Sequence, residues 1–233
     1  MSIQDEGSVT SCLHVFDMDG TLLRGTATIE IARQLGQLDA GHRIERLWGE
    51  GQITDMDFWR TLLEICKNAT DADFDAAFHN APWMDGIAET FADIRSRGET
   101  VIVISQSPAF FVRRLQLLGA HETYGSAVEP GVPLTDTATL MPETKVAITR
   151  SVLATRNLGE QDCVAYGDSG SDLELFKFFS RTVGINPTPA LGALAATNYR
   201  GTSIREAYAM GRRFIDGAVS HQSKHAMLKE NGR

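Results

Sequence analysis

The chain has 233 residues, 42% of them hydrophobic, which is enough to bury the core of one domain with an insert or of two modest domains. Its formal net charge of −8 and its isoelectric point near 5.2 argue against a surface that binds nucleic acid or an anionic membrane. No apolar run approaches the roughly 20 residues of a membrane span, and residues 1–10 lack the features of a signal peptide. We therefore expect a cytoplasmic protein.

The first strong feature along the chain is an apolar run that ends in two carboxylates. Residues 13–22 read Leu-His-Val-Phe-Asp-Met-Asp-Gly-Thr-Leu, which predicts a buried strand that delivers Asp17 and Asp19 into a cleft. Residues two apart in an extended chain project to the same side, so these carboxylates are expected to be neighbours. Like charges this close resist joint ionisation unless a proton or a cation lies between them. A divalent metal is therefore the first ligand to expect.

Residues 24–84 read as helical and contain no predicted strand. Apolar residues recur at helical spacing in four segments, which centre on residues 29–35, 44–48, 58–65 and 74–78. Thr54 or Asp55 is expected to cap the third helix, and Asp71 or Asp73 to open the fourth. We interpret residues 24–84 as a small helical domain inserted into an α/β domain formed by residues 1–23 and 85–233.

After Pro82, predicted helices and strands alternate. The strands are expected at residues 101–104, 163–166 and 182–185, and the helices at 86–97, 110–118, 145–158, 173–179, 190–196 and 203–218. Residues 124–140 are expected to form a loop or a short hairpin. Strands that alternate with helices imply crossover connections and a mainly parallel sheet covered on both faces. Ligands of such sheets bind beyond the C-terminal ends of the strands.

Reactive side chains stand at those strand ends and at one helix start. Asp17 and Asp19 follow the first strand, Ser105 follows the second, Lys145 opens a helix, and Asp168 and Asp172 follow residues 163–166. Carboxylates, a hydroxyl, an ammonium and a Gly-rich turn describe a site that binds a metal and an anion together. The alternatives are ordinary ones: turn residues for the first two aspartates, helix caps for Ser105 and Asp172, and a surface role for Lys145.

Taken together, these residues resemble the four motifs of the haloacid dehalogenase superfamily of phosphatases. The motifs are, in order, Asp17-Met-Asp19-Gly-Thr21, Ser105, Lys145 and Gly167-Asp168-Ser-Gly-Ser-Asp172. The resemblance covers nearly the whole chain, because the helical insert resembles that superfamily's first-type (C1) cap and Gly184-Ile-Asn-Pro187 resembles its phosphoserine phosphatase-like branch. It implies an α/β fold with a Rossmann-like, three-layer parallel-sheet core and an inserted helical cap.

The resemblance also implies a reaction, the Mg²⁺-dependent hydrolysis of a small phosphorylated metabolite through an aspartyl-phosphate. Asp17 would be the nucleophile and Asp19 the proton shuttle. Mg²⁺ would be held by Asp17, the main-chain carbonyl of Asp19 and Asp168, with Asp172 holding a metal-bound water or orienting Lys145. The residues expected to bind the phosphate are Ser105, Lys145, Gly20, Gln106 and Ser171.

The substrate is harder to predict. In true phosphoserine phosphatases, a Glu at the start of the first cap helix and an Arg on a later cap helix recognise the charges of the amino acid. Here the first position corresponds to Thr26, with Glu30 one turn later, and Arg60 is the nearest arginine to the second. Gln106 stands where that family has a small Gly. We therefore expect another small metabolite, with Thr26, Glu30, Trp59, Arg60 and Gln106 as candidate contacts, although Trp59 also fits the core of the cap.

Three alternatives remain at this point. A true phosphoserine phosphatase and a phosphotransferase would use the same motifs. A non-catalytic regulatory domain that binds metal and phosphate is disfavoured, because a signalling acceptor needs an open Asp rather than one under a lid. The sequence leaves the oligomeric state and the role of the C-terminal tail open.

Overall fold

The structure is a computed structural model that describes the backbone of residues 11–230 and the side chains of residues 11–217. The expectation for residues 1–10 lies outside the described residues. Six strands form one sheet: β1 Leu13–Phe16, β2 Thr100–Pro108, β3 Glu122–Ser126, β4 Cys163–Gly167, β5 Thr182–Ile185 and β6 Thr197–Tyr199. Their order is β3-β2-β1-β4-β5-β6, and all pairs are parallel. The predicted α/β class is confirmed.

Ten α-helices accompany the sheet in the described chain. They are α1 Ala27–Gln34, α2 Leu38–Gly49, α3 Asp55–Ile65, α4 Asp71–Asn80, α5 Ile87–Ser96, α6 Ala109–Val112, α7 Pro142–Thr155, α8 Leu173–Phe178, α9 Pro189–Leu194 and α10 Ile204–Glu230. A 3₁₀ helix, Arg113–Leu118, continues α6 and ends at Gly119, whose positive φ supplies a left-handed C-cap. None of the described helices is long and apolar enough to cross a membrane.

Alternate residues of the central strand face two separate apolar cores. Phe16 packs in one cluster with Phe91 of α5 and Ala207 of α10, whereas Leu13 and Val15 pack in the other with α7 and α8. The sheet therefore has helices on both faces, which is the three-layer arrangement that the sequence predicted. It also explains why β1 is apolar along nearly its whole length, since all four of its residues are buried.

Helices α1 to α4 form the helical insert between β1 and α5. Capping boxes start two of them: Thr54 and Asp57 at α3, and Thr70 and Asp73 at α4. Thr70 is the N-cap of α4, and Asp71 opens the helix as one of the two predicted residues. The insert shares one apolar cluster with the sheet, and the rings of Phe74 and Phe110 lie 4.6 Å apart across the boundary. The insert is thus packed against the α/β core.

The prediction of a loop or hairpin over residues 124–140 was wrong at its start, because β3 pairs in parallel with β2. β3 is a polar edge strand and is only partly buried, so it lacks the apolar pattern that identifies inner strands. A Cβ at Gly125 would meet the carbonyl of Ser107 at 2.8 Å, which shows how close the two chains are. The short edge strand β6 was missed for the same reason.

Candidate active site

Side chains from four parts of the chain meet at the C-terminal edge of the sheet. Asp17 follows β1, Ser105 lies near the end of β2, and Asp168 follows β4. Lys145 comes from the first turn of α7, and Asp172 closes a 3₁₀ turn, Gly170–Asp172, that precedes α8. The edge that the parallel topology indicates therefore carries the predicted residues.

Lys145 is the centre of the charge network. Its side chain is buried, and its ammonium donates hydrogen bonds to Oδ1 of Asp17 and Oδ1 of Asp172, both at 2.7 Å, and to Oγ of Ser171 at 3.3 Å. Burial acts to lower the pKa of Lys145, but the two carboxylates outweigh burial and raise it above its ordinary value. Lys145 therefore stays charged at neutral pH.

Asp17, Asp168 and Asp172 form a carboxylate cluster in which one oxygen of each residue lies within 4.8 Å of the others. Burial, reinforced by Asp172, raises the pKa of Asp17 well above its usual range, even though Lys145 acts in the opposite direction. Burial and Asp172 raise the pKa of Asp168 to about 7. Groups with such pKa values favour an added proton or cation, so the cluster fits a divalent metal that prefers oxygen ligands.

The partners of each carboxylate indicate which oxygens could bind that metal. Asp172 is engaged on both sides: Oδ1 accepts from Lys145, and Oδ2 accepts from the main-chain N–H of Asp168 at 3.1 Å and of Ser169 at 3.5 Å. Asp17 accepts from Lys145 through Oδ1, which leaves Oδ2 for another partner. Asp17 and Asp168 are therefore the better candidate ligands, and Asp172 orients Lys145 and the turn after β4.

Two glycines make room for these carboxylates. Gly20 has φ +78°, and a Cβ there would overlap the carboxylate of Asp168. A Cβ at Gly167 would overlap the carboxylate of Asp172. The hydroxyl of Thr21 donates to Oδ1 of Asp168 at 3.4 Å, so the loop after β1 also helps to place the carboxylate that follows β4.

Asp19 has a different environment from the cluster. Its Oδ1 accepts from the main-chain N–H of Ala27 at 2.9 Å, and its Oδ2 accepts from the hydroxyl of Ser107. Burial raises the pKa of Asp19 to about 6, although these two hydrogen bonds oppose the rise. A carboxyl group with a pKa near neutrality suits both proton donation and proton acceptance.

Ser107 is a site residue that was not predicted from the sequence, because a Ser-Pro pair also fits the start of a helix. β2 instead continues to Pro108, with a break in register after Ile104. The side chains of Ser105 and Ser107, two residues apart, both line the cavity. The hydroxyl oxygen of Ser105 accepts from the main-chain N–H of Ser107 at 3.0 Å, so its own O–H is available to a ligand.

The other predicted phosphate contacts are near this floor. Ser171 lines the cavity and accepts from Lys145, and Gly20 lines it as well. Gln106 also lines the cavity, but its side-chain amide donates to the carbonyl of Leu140 at 3.1 Å. Gln106 therefore ties down the segment before α7, a contact that its sequence position did not predict.

A cavity of about 770 Å³ rises from these residues to the helical insert. Its floor carries Asp17, Asp19 and Asp168, and its upper wall is formed by residues of the insert and of the segment before α7. The upper-wall residues are Thr26, Thr28, Glu45, Trp48, Asp55, Phe58, Trp59, Thr139 and Met141. This volume is within the range of small-molecule binding sites.

The candidate substrate contacts divide into two groups. Thr26 and Trp59 line the cavity, and Nε1 of Trp59 donates to the hydroxyl of Thr139 at 2.8 Å. Glu30 and Arg60 do not line it: Glu30 is buried beside Arg33, and Arg60 is exposed beside Asp57. Consecutive residues of a helix point about 100° apart, so α3 turns Arg60 outward when it turns Trp59 inward. Glu45, Trp48 and Thr139 carry no local motif and were missed.

The model of the haloacid dehalogenase-like hydrolase family matches residues 14–177, a stretch that includes every residue of the floor. The chain belongs to this family. The family resemblance read from the four motifs is thereby confirmed, and the helical insert lies within the matched range.

Several proteins similar to this hydrolase are phosphoserine phosphatases. The phosphoserine phosphatase of Methanocaldococcus jannaschii is 24% identical over 199 residues, which cover 83% of this chain and 94% of that protein. A phosphoserine phosphatase solved with an analogue of a phospho-aspartyl intermediate has a TM-score of 0.68 at 22% identity, over 85% of this chain and 98% of that one. A probable phosphoserine phosphatase from Vibrio cholerae has a TM-score of 0.70 at 17% identity, over 95% of this chain and 69% of that one. The hydrolase therefore has the fold of the phosphoserine phosphatase-like branch.

Proposed function

We propose that this hydrolase removes the phosphoryl group from a small phosphorylated metabolite, with Mg²⁺, through an aspartyl-phosphate on Asp17. Its family and its relatives make it an enzyme of the phosphatase class. The observation that carries the mechanism is the position of Asp17: its carboxylate lies at the floor of a cavity and is fixed at one oxygen by Lys145. A carboxylate held this way can attack a phosphomonoester and form a covalent intermediate.

We propose Asp19 as the proton donor of the first step and the proton acceptor of the second. The main-chain N–H of Ala27 and the hydroxyl of Ser107 fix its carboxyl group. In the first step Asp19 donates a proton to the departing alkoxide, and in the second it accepts one from the water that attacks the phosphoryl group. Its pKa of about 6 is compatible with both roles at neutral pH.

Positive charge and hydrogen-bond donors at the floor fit the phosphoryl group. Lys145 supplies a fixed ammonium, and Ser105 supplies an O–H whose oxygen is already held by the N–H of Ser107. Ser171 and Gly20 also line the floor. Donors that are oriented before the reaction stabilise the charge that develops on the equatorial oxygens without reorganising.

The metal that the carboxylate cluster fits would be held by Asp17, the main-chain carbonyl of Asp19 and Asp168. When bound, Mg²⁺ supplies positive charge that offsets the repulsion between a phosphate dianion and Asp17. Asp172 keeps Lys145 in place through the 2.7 Å contact described above. The oxygen-only donor set is the support for Mg²⁺ over a softer transition metal.

We also propose that residues 24–84 act as a cap domain over the floor and that the protein works in the cytoplasm. The support for the cap is its share of the cavity wall, since Thr26, Glu45 and Phe58 belong to the insert while Asp17 and Asp168 do not. A cap limits the access of bulk water to the intermediate.

The test is the hydrolysis of p-nitrophenyl phosphate with Mg²⁺, with excess EDTA, and by the Asp17→Asn variant. We expect activity with Mg²⁺ only, and a loss of about 10³-fold or more in Asp17→Asn. Asp39→Asn, which changes a carboxylate in the first turn of α2 away from the cavity, is the matched control and should keep wild-type activity. Hydrolysis that survives both EDTA and Asp17→Asn would overturn the proposal.

A further inference from the structure

The upper part of the cavity, formed by the insert and the segment before α7, carries negative charge and aromatic rings. Glu45 and Asp55 both line it. The aromatic residues there are Trp48, Phe58 and Trp59. No Lys, Arg or His is among the described residues that line the cavity at any height. The buried ammonium of Lys145, below the cavity floor, is already held between Asp17 and Asp172.

Glu45 is held in place on the cavity wall. The hydroxyl of Thr26 donates to its Oε1 at 2.7 Å, and Thr26 itself is fixed as the N-cap of α1. Burial raises the pKa of Glu45 above its ordinary value, even though hydrogen bonds from Thr26 and Thr28 oppose the rise. The partly desolvated carboxylate has hydroxyl partners on the wall, and His42, one turn earlier on α2, acts on it electrostatically. None of the lining residues is a cation. A ligand with a positive charge would supply a cationic partner.

The two tryptophan rings are fixed, because the N–H group of each indole already has a hydrogen-bond acceptor. Nε1 of Trp48 donates to Asp55 at 2.7 Å, and Nε1 of Trp59 donates to Thr139 at 2.8 Å. The rings of Trp48 and Phe58 lie 5.7 Å apart, and those of Phe58 and Trp59 lie 4.9 Å apart. Trp48 is 42% exposed and lies three residues after Glu45 on α2, so both are on the same side of that helix. Aromatic faces beside a carboxylate form a favourable environment for an alkylammonium group.

These observations deepen the proposed function and rest on it, because the floor must bind the phosphoryl group. We propose that the leaving group of the substrate is an amino alcohol without a carboxylate. Its ammonium binds the carboxylate of Glu45 and is surrounded by the rings of Trp48, Phe58 and Trp59. A carboxylate on the leaving group would enter a wall that already holds Glu45 and Asp55 and would find no cation there. Phosphoserine, which has both groups, is a poor fit for this reason.

The experiment compares kcat/KM for four esters: phosphoethanolamine, its neutral analogue 2-hydroxyethyl phosphate, phosphoserine and phosphoglycolate. We expect phosphoethanolamine to be preferred over 2-hydroxyethyl phosphate by about 10-fold or more, with phosphoserine and phosphoglycolate the poorest. In Glu45→Gln the ratio of phosphoethanolamine to 2-hydroxyethyl phosphate should fall by about 10- to 100-fold, since a charged hydrogen bond is lost. Glu50→Gln, which changes an exposed carboxylate just after α2, should keep the wild-type ratio.

Equal rates for the charged and neutral esters, or a preference for phosphoglycolate, would overturn the inference and leave the phosphatase proposal intact. If the wild-type protein hydrolyses neither these esters nor p-nitrophenyl phosphate, the phosphatase proposal is overturned. In that case the inference is tested by calorimetric binding to the Asp17→Asn protein with Mg²⁺ present. Tighter binding of phosphoethanolamine than of 2-hydroxyethyl phosphate, abolished by adding Glu45→Gln, would support it, and equal binding would contradict it.

Discussion

The ammonium of Lys145 lies 2.7 Å from Oδ1 of Asp17, although the two residues are 128 positions apart in the chain. The contact joins the end of the central strand to the first turn of α7. Because Asp172 holds the same ammonium from the other side, Lys145 is charged, buried and fixed in one place. It can therefore neutralise part of the negative charge at the floor without moving during the reaction.

Replacing Lys145 with Met should lower kcat by about 10²- to 10³-fold, because a preorganised positive charge is removed. It should also lower the free energy of unfolding by about 3 kcal/mol, because Asp17 and Asp172 are left buried without their cation. Adding Asp172→Asn should restore part of the stability and none of the activity. The measurements are steady-state kinetics and urea unfolding.

Lys177→Met is the control for this pair of variants. Lys177 is exposed and pairs with Glu174 one turn away, so its loss should change the free energy of unfolding by less than about 1 kcal/mol. An unchanged kcat in Lys145→Met would show that Lys145 is only a structural residue.

Gly20→Ala tests the close approach of the loop after β1 to Asp168. The new Cβ would overlap the Asp168 carboxylate and would also sit at positive φ. We expect a higher Mg²⁺ concentration for half-maximal activity, by about 10-fold or more, because displaced ligand groups bind metal less well.

Gly36→Ala is the control that separates the two effects of Gly20→Ala, which are the overlap with Asp168 and the strain of a side chain at positive φ. Gly36 has φ +68° with no atom within 4 Å of an added Cβ, so it carries the backbone strain without the overlap. It should cost about 1 kcal/mol of stability and leave the Mg²⁺ dependence unchanged. If both variants shift the Mg²⁺ dependence equally, the placement of Asp168 by Gly20 is not the cause.

A buried polar network at the opposite end of β1 links the sheet to α10. Nε2 of His14 lies 2.9 Å from Oε2 of Glu99, Nδ1 lies 3.2 Å from the hydroxyl of Tyr166, and Arg212 donates to Oε1 of Glu99 at 2.5 Å. Burial acts to raise the pKa of Glu99, but hydrogen bonds from His14 and Arg212 outweigh it and the pKa is lowered. Glu99 is thus an acceptor, so His14 donates through Nε2 and accepts from Tyr166 through Nδ1.

This network predicts a pH dependence of stability. Burial lowers the pKa of His14 below 6.5, although Glu99 opposes the change. Below that pH the unfolded chain binds a proton that the folded chain does not, so stability falls as the pH falls, by up to about 1.4 kcal/mol per pH unit. The raised pKa values of Asp19, about 6, and Asp168, about 7, act with the opposite sign, because there the folded state binds protons more tightly.

The contribution of His14 is therefore measured as a difference between the wild type and His14→Gln. In urea unfolding, the wild type should have the higher free energy of unfolding at about pH 7.5. Its difference from His14→Gln should become smaller as the pH falls to about 5.5. His79→Gln, at an exposed histidine on α4, is the control for the loss of an imidazole as such. A difference for His14→Gln that does not change with pH would contradict the neutral state of His14.

The floor of the site could be predicted from sequence because its residues follow strand ends. Asp17, Ser105 and Asp168 each stand directly after apolar residues that only a buried strand explains, and the parallel topology places those ends at one edge. Lys145 could be placed because it stands near the start of a helix that follows a loop. The local pattern and the tertiary position agree at each of these residues.

The cavity wall could not be predicted in the same way. Glu45 and Trp48 come from α2, Trp59 from α3 and Thr139 from a segment without regular structure, so only tertiary packing brings them together. Ser107 was missed because Ser-Pro also fits a helix start, whereas pairing with β3 extends β2 through Pro108. Strands β3 and β6, at the two edges of the sheet, were missed because a strand with few buried side chains has few apolar residues to identify it.

The most direct test of the central claim is to trap the intermediate. The enzyme is mixed with a ³²P-labelled phosphomonoester and Mg²⁺, quenched in acid during turnover, and digested for peptide mapping. We predict label on the peptide that contains Asp17; hydroxylamine should remove this label, and the Asp17→Asn protein should not acquire it. Turnover with label on another residue, or label that persists in Asp17→Asn, would contradict the claim.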